Sequence, residues 1–560
     1  MVERNFYTED IVLQRILKKH LGHEFFDYAE ERLTEFGERV AGIIDDRAKH
    51  TDREGQPKLI KYDKMGDDVS KVWVNEGYMQ TVKETYNTGI VAYPHKEIPE
   101  LGQVGNYLYS YAQGYLLSQS EPGFYCPVTL TMATAYLIDH YADGELRDQF
   151  LPHVISTGEV ELYEGATFLT ERQGGSDVGA NVVEAVNEGD SYRLYGEKYF
   201  ASNAGMCGVA MVLARMEGAP SGTKGLSLFL VPWEENRANQ QLSIRRLKDK
   251  LGVRAVPSAE VEFQGAKAYL VGDPKQGFKY MMEALNLSRV CNAVASIGIM
   301  RRAYVEARDY AFNREAFGNK LNHYPMVKDT LVNMLAKLEV ETYATFDVVN
   351  LFDQVMNKDA NVTEEEQALL RLYIAIMKKE TAEQAIHYSH EAIEMHGGNG
   401  FIEDFVTPRL LRDAQVLTVW EGTANILGLE VLRLLEKYQI HELFLQDLEA
   451  RLRHVTPKAQ KLTDPIKEKM ERLKETLVKL SQAPDDVKLM YPKKLAKDMS
   501  DLFEAVVALE QIEEGLTFEK DFAVAEVFIH QTFRSSKYNQ EPLALKYYDL
   551  IVNQHHPVSI

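Results

Sequence analysis

The sequence predicts a mainly α protein with a central β domain and a helical C-terminal appendix. Three observations predict it. Apolar residues recur at helical spacing from the start to residue 165, short alternating runs take over across 166–275, and the helical period then returns and continues to 437 with few breakers.

The first region, 1–165, reads as helices such as "EFFDYAEERLTEFGERVAGII", separated by turn signals "KEIPELG" and "SQSEPG". The second, 166–275, carries "SYRLYGEKYFAS", "GVAMVLARM", "GLSLFLVPW" and "SAEVEFQG" between Gly-, Asn- and Asp-containing turns, which is the pattern of a compact β domain. The third, 276–437, opens with the long run "GFKYMMEALNLSRVCNAVASIGIMRRAYVEARDYAFNREAFG" and reads as a helical bundle. The last, 438–560, is an additional helical region. In "DPIKEKMERLKETLVKL", Asp464 and Pro465 suit N-cap and N1, and Ile466, Met470, Leu473, Leu477 and Leu480 share one stripe.

The 560 residues, 45% of them hydrophobic, can build several packed layers and a buried ligand site. A formal charge of −21 opposes attraction of the whole molecule to nucleic acid or anionic lipid. Cys126, Cys207 and Cys291 are odd in number and far apart, so neither a disulfide framework nor a metal site is expected. The charged N-terminal segment lacks a secretory apolar core and no segment has 18 uninterrupted apolar residues, so the expectation is a cytoplasmic protein with no membrane span.

Four segments could carry chemistry, and each also has an ordinary structural meaning. "TFLTERQGGSDVGANV", 167–182, runs a short strand into a turn rich in amides and hydroxyls, suited to a phosphate or the edge of a flat polar ring; it could equally be a loop whose Thr170 and Ser176 cap neighbours. "EMHGGNGF" sets a glycine turn after a helix, which is commonly just a C-cap, with His396 a structural histidine beside it. In "NREAFGNKL", Arg314 has the shape for bidentate phosphate contact, and its ordinary reading is a cation that complements a helix end. In "LTVWEGTANILGLEVL", Glu421 stands where an apolar loop becomes a helix at Thr423. Amides at the helix start favour its charge and burial opposes it, so the opposition could hold a general base near the working pH.

These segments, in this order and texture, resemble the acyl-CoA dehydrogenase flavoprotein superfamily over residues 70 to 437. One signature is "LTERQGGSDVGA"; the other begins at Glu394, runs through "GGNGF", Asp404 and Arg409, and closes at Asp413. "WEG" at the base, "HYPM" after "REAFG" and the C-terminal addition bring the resemblance closest to the AidB-like, alkylation-response group. The fold so implied is an N-terminal helical domain, a middle β-barrel or sandwich, and a C-terminal helical bundle.

The resemblance also implies FAD. Thr167, Phe168, Leu169 and Thr170, with Gly175 and Ser176, would meet the flavin and pyrophosphate, and Phe200, Ala201 and Ser202 would flank the isoalloxazine. Arg314, Phe317, Glu394, Gly397 and Gly398 would reach the FAD of a neighbouring subunit, implying a homodimer or homotetramer, and Thr423 and Asn425 would hold the adenine end. Ser176, Trp420 and Gly422 would border an acyl-CoA substrate. Glu421 would take its α-proton while hydride passes to flavin N5, giving a trans-2-enoyl-CoA, with an electron-transfer flavoprotein as acceptor. Where the family usually has glutamine and a Thr-Arg pair, this sequence has Pro325 and Ser258-Ala259. Two alternatives remain: an acyl-CoA oxidase using oxygen, and an alkylation-response protein binding DNA through residues 451–500, where 13 Lys or Arg face 7 Asp or Glu.

Overall fold

The computed structural model describes residues 4–356, 362–512, 517–533 and 542–553. The chain forms two compact units, one of Met1–Phe6 with His23–Cys291, the other of Tyr7–Gly22 with Asn292–Ile560.

In the first unit, helices α1 (Tyr107–Ser118) and α2 (Pro122–Tyr141) are apolar almost all round and accordingly buried. Region 1–165, expected to be mostly helix, also holds two strand pairs, a short one of Glu97–Ile98 with Gln103–Val104 and a longer one nearer the start. Strands β1 (Lys58–Tyr62) and β2 (Asp68–Trp73) form an antiparallel hairpin. Its turn is closed by Asp63, whose carboxylate accepts from the amides of Met65 and Asp67. This Asx chemistry, in a segment too polar to pack as a helix, favours the hairpin.

The β domain contains β3 (Gly165–Phe168), β4 (Glu184–Asn187), β5 (Tyr192–Ser202), β6 (Val209–Met216), β7 (Leu226–Pro232), β8 (Leu242–Leu247) and β9 (Ser258–Leu270). The sheet order is β8-β9-β5-β4-β6-β3, and β7 pairs with both β6 and β9. That double pairing closes a ring and leaves β8 as an edge, which the hairpin covers. Ser70 Oγ accepts from the Ile244 amide at 2.8 Å, and Lys61 donates to the Ile244 carbonyl at 2.8 Å. Two register irregularities in β9, one beside Gly265 at φ +85°, let a 13-residue strand bend between partners. β7 is buried along its whole length, Ser227 included, so its side chains do not alternate between core and solvent as the sequence reading expects. β3 lies against α2 closely enough that a Cβ on Gly165 would come 2.4 Å from Thr134 Oγ1.

Helix α3 (Gly277–Asn313) gives its first part to this unit and the remainder to the other. The second unit then adds α4 (Pro325–Met356), α5 (Glu364–His396), α6 (Thr407–Leu417), α7 (Ala424–Tyr438), α8 (Ile440–Leu452), α9 (Thr463–Ser481), α10 (Pro492–Glu510), α11 (Phe518–Phe533) and α12 (Leu543–Ile551). A capping box at Thr363 and Glu366 starts α5, and Gly397 at φ +58° ends it. Helix α9 begins at Thr463, so Asp464 and Pro465 lie inside its first turn instead of capping it. The expected stripe holds, with Ile466, Met470, Leu473 and Leu477 buried and Leu480 half-buried.

The later helices are not joined to the earlier ones by apolar contact alone. Lys337 on α4 reaches Glu341 at 2.8 Å, Glu380 on α5 at 3.0 Å and Glu504 on α10 at 2.6 Å, all three carboxylates being buried. Lys497 on α10 adds a second cation on Glu380 at 3.0 Å and also pairs with Asp501. Burial and the shared lysine push the three apart in acidity: Glu341 and Glu504 are raised, whereas the two lysines hold Glu380 well below the usual carboxylate range.

Candidate active site

In the β domain the end of β3 leads into the turn that the sequence singles out. Thr167, Leu169 and Thr170 are half-buried, Phe168 is buried, and Gly175 and Ser176 are exposed. The Thr170 carbonyl accepts from the Tyr199 amide at 2.9 Å, tying the turn to β5. Gly175 is needed for the fold-back, because a Cβ there would sit 2.6 Å from Thr170 Oγ1. Beneath the turn lies a pair that sequence reasoning missed. Buried Lys198 donates to buried Glu171 at 2.8 Å, and Glu171 also accepts from the amides of Val182 and Val183. Burial lowers Lys198 to about 8, with Glu171 opposing the shift. Asn181 holds the Leu169 carbonyl from the other side at 2.7 Å.

Next to this turn, Phe200 is 55% exposed while Ala201 is buried. The Ser202 hydroxyl lies 3.2 Å from that of Ser258, so the serine that departs from the family pattern is paired across the sheet. Lys248 places its ammonium 3.3 Å from the Tyr199 ring centroid and 4.6 Å from that of Phe200. The exposed Phe200 ring beside a glycine cradle with the exposed Ser176 and the half-buried Thr167 and Thr170 fits the flat, polar-edged ring and phosphates of a flavin nucleotide.

In the second unit Glu421 occupies the turn between α6 and α7. The amides of Val419 and Trp420 still bond back to the Val416 carbonyl, after which the chain reverses. Glu421 has φ +52° and Gly422 φ +109°. A non-glycine residue in the left-handed region costs roughly 1–2 kcal/mol and persists only when its surroundings hold it. Two side chains do so. Asn292 on α3 donates from Nδ2 to Glu421 Oε2 at 2.8 Å and to the Leu417 carbonyl at 3.2 Å. Lys378 on α5, itself buried, donates to the Gly422 carbonyl at 2.7 Å. Glu421, Trp420 and Gly422 are half-buried, less desolvated than the apolar flanks suggest, because the turn lies at the surface of this unit. Thr423 is the N-cap residue of α7 but makes no side-chain cap, and both it and Asn425 are exposed.

A third group lies elsewhere in the same unit. Tyr310, one turn before Arg314, has its ring 4.1 Å from that of His396, and Asn399 donates to the Tyr310 hydroxyl at 3.0 Å. This brings the Arg314 end of α3 to the Gly397-Gly398 turn. His396 is a packing residue: burial lowers its pKa, and Nδ1 meets the Ala392 carbonyl at 2.7 Å. Arg314, Glu394, Gly397 and Gly398 are exposed, and Phe317, at φ +52°, is 97% exposed.

Three family models match the chain: the AidB N-terminal domain over residues 1–158, the acyl-CoA dehydrogenase middle domain over 166–266, and the acyl-CoA dehydrogenase C-terminal domain over 275–435. Acyl-CoA dehydrogenase family member 11 of Caenorhabditis elegans is 31% identical over 497 residues, covering 86% of this chain and 79% of that protein. The chain belongs to the acyl-CoA dehydrogenase family. As a member with an AidB-type N-terminal domain, it is an oxidoreductase whose cofactor is FAD. The putative acyl-CoA dehydrogenase AidB of Escherichia coli is also 31% identical, over 68% of this chain and 69% of its own length. The structure of the C. elegans protein ACDH-11 in complex with C11-CoA has a TM-score of 0.87 at 26% identity, covering 100% of this chain and 96% of that one.

In this acyl-CoA dehydrogenase the basic stretch 451–500 is largely committed internally. Seven of its cations, Arg451, Lys461, Lys469, Arg472, Lys474, Lys488 and Lys497, are ion-paired with carboxylates of the same chain. Among the described residues no helix is long and apolar enough to cross a membrane.

Proposed function

We propose that this protein is an FAD-dependent acyl-CoA dehydrogenase that oxidises an acyl-CoA thioester to the trans-2-enoyl-CoA, with Glu421 as the base for the α-proton. The observation that carries the reading is a carboxylate held in a strained left-handed turn by Asn292 and Lys378. A charge that only complemented a helix dipole would need no such support.

The residues that would hold FAD are Thr167 to Thr170, Gly175, Ser176 and Phe200 to Ser202, with Thr423 and Asn425 toward the adenine. Arg314, Phe317, Glu394, Gly397 and Gly398 would serve the cofactor of a second copy, so the working form is a homo-oligomer. When bound, FAD supplies the acceptor for the β-hydrogen as hydride. Glu421 withdraws the α-proton, and its own backbone amide would steady the thioester carbonyl as enolate character develops; a preorganised donor of this kind is typically worth ~3 kcal/mol. Trp420 and Gly422 border the acyl group and limit water access to it.

The test is anaerobic mixing of FAD-loaded protein with a panel of acyl-CoAs while flavin absorbance is followed. Medium straight chains come first, because the similar C. elegans structure contains C11-CoA. Bleaching, with enoyl-CoA as product, is the expected result; a flavin untouched by every thioester overturns the reading. Reoxidation by oxygen compared with an electron-transfer flavoprotein then separates oxidase from dehydrogenase.

A further inference from the structure

Asn292 spends both of its amide protons on the turn that carries Glu421. One goes to the Leu417 carbonyl at 3.2 Å and the other to Glu421 Oε2 at 2.8 Å. The orientation of the amide follows from these partners: both are acceptors, so the nitrogen, not the oxygen, must face them. Oδ1 is buried and meets no donor among the described residues. A residue kept for a satisfied core network would not leave that acceptor unpaired, since an unmade bond on a buried polar atom is costly. Position 292 is 4% exposed and lies in a mostly apolar stretch of α3, "VCNAVASIGI".

We infer that Asn292 is a positioning residue that sets both the direction and the acidity of the Glu421 carboxylate. The inference rests on Glu421 being the base. A donor on a carboxylate stabilises the charged form, so Asn292 holds Glu421 more acidic than the half-buried turn alone would allow and keeps it ionised at lower pH. The bond to Leu417 anchors the same amide to the last turn of α6, which fixes where the carboxylate is met. The charged groups on the elements around this turn include Arg289 on α3, three residues before Asn292, Lys378 on α5, which acts on the Gly422 carbonyl, Arg409, Arg412 and Asp413 on α6, and Glu430 on α7, and Asn292 is not the sole partner of Glu421. Arg412 is engaged with Glu403, and Glu430 with Arg371 and Arg433. Asn292 is a neutral partner of Glu421, so Asn292→Leu removes the donor without altering net charge.

Asn292→Leu and Asn292→Asp, as FAD-loaded full-length protein, test this in two ways. One is the pH profile of flavin reduction by a substrate acyl-CoA. The other is infrared titration of the carboxyl band that disappears in Glu421→Gln, read without substrate. In Asn292→Leu both titrations should move to higher pH by on the order of one unit, the amount expected for one lost charge-assisted hydrogen bond. Asn292→Asp should move them further, because a second carboxylate opposes ionisation of the first. A uniform loss of rate at every pH with unmoved titrations would reduce Asn292 to a packing residue and overturn the inference. Should the leucine variant not fold, Asn292→Ala, which also removes the donor, is read in the same way. If Glu421→Gln itself reduces flavin at the parental rate, it is the assignment of the base that fails, and the infrared titration still decides whether Asn292 tunes Glu421.

Discussion

The ammonium of Lys378 donates at 2.7 Å to the carbonyl of Gly422, so a buried cation on α5 fixes the backbone one residue beyond Glu421. With φ at +52° and +109° in succession, this turn is held from outside. Lys378→Met keeps the apolar stem and removes the donor. We expect a stability loss of about 1.5–3 kcal/mol and slower flavin reduction with FAD retained. Thermal melting and stopped-flow absorbance check this; a parental reduction rate would mean that the turn holds itself.

Glu421→Gln keeps the size and hydrogen-bonding shape of the side chain but cannot accept a proton. Flavin reduction should fall by ~10²- to 10⁴-fold while thioester binding persists. A carboxylate that only complements the start of α7 predicts nearly normal reduction and a loss of about 0.3–1 kcal/mol.

Glu164 is buried where the helical part of the first unit meets β3, and Tyr86 donates to it at 3.0 Å. Burial raises its pKa to about 7, only partly offset by hydrogen bonds from Tyr86 and Asn203. A carboxyl whose folded pKa lies above its unfolded value of 4.5 favours the folded state fully at low pH and loses that contribution as pH rises through 7. Glu164→Gln should therefore flatten the fall in melting temperature between pH 5 and pH 8, a window worth on the order of 3 kcal/mol. An unchanged slope would show that Glu164 does not titrate there.

Lys337→Met would leave Glu341, Glu380 and Glu504 without the ammonium they share. Removing one partner from a buried ionic group typically costs about 3–5 kcal/mol. We expect a large drop in denaturant midpoint and partial recovery in Lys337→Met with Glu504→Gln, which removes one of the stranded carboxyls. A single substitution as stable as the parent would contradict the central place given to Lys337.

Binding of duplex DNA should be weak and strongly salt-dependent, because the net charge is −21 and seven of the thirteen cations in 451–500 already have carboxylate partners. Fluorescence anisotropy across a salt series measures it. Tight binding that survives ~0.2 M salt would restore the alkylation-response reading.

The division into helix, β domain and helix was legible because each period persists over many residues, and the apolar runs of β6 and β7 mark strands buried on both faces. The hairpin at 58–73 was not, since its strands are short, charged and stabilised by contacts with Ile244 far along the chain. Glu421 stood out as a lone carboxylate between apolar neighbours. Its supports did not: Asn292 is 129 positions away and Lys378 is 44 from Gly422, and each looks like an ordinary helix residue until the fold brings them together. Lys337 and Glu504 are 167 apart and equally silent.

The ionic knot at Lys337 also bears on how a shorter version of this protein would behave. Helix α10 lies against α4, α5 and α7, and it delivers Glu504, Lys497 and Asp501 into the space between them. Cutting the chain after residue 437 would strip apolar flank from three helices and leave Lys337, Glu341 and Glu380 facing solvent without Glu504 and Lys497, the partners that α10 supplies. The region 438–560 is thus no detachable tail. It completes the interior of the fold, and a minimal catalytic fragment would have to be redesigned at those positions, with uncharged side chains of similar volume, before it could stand alone.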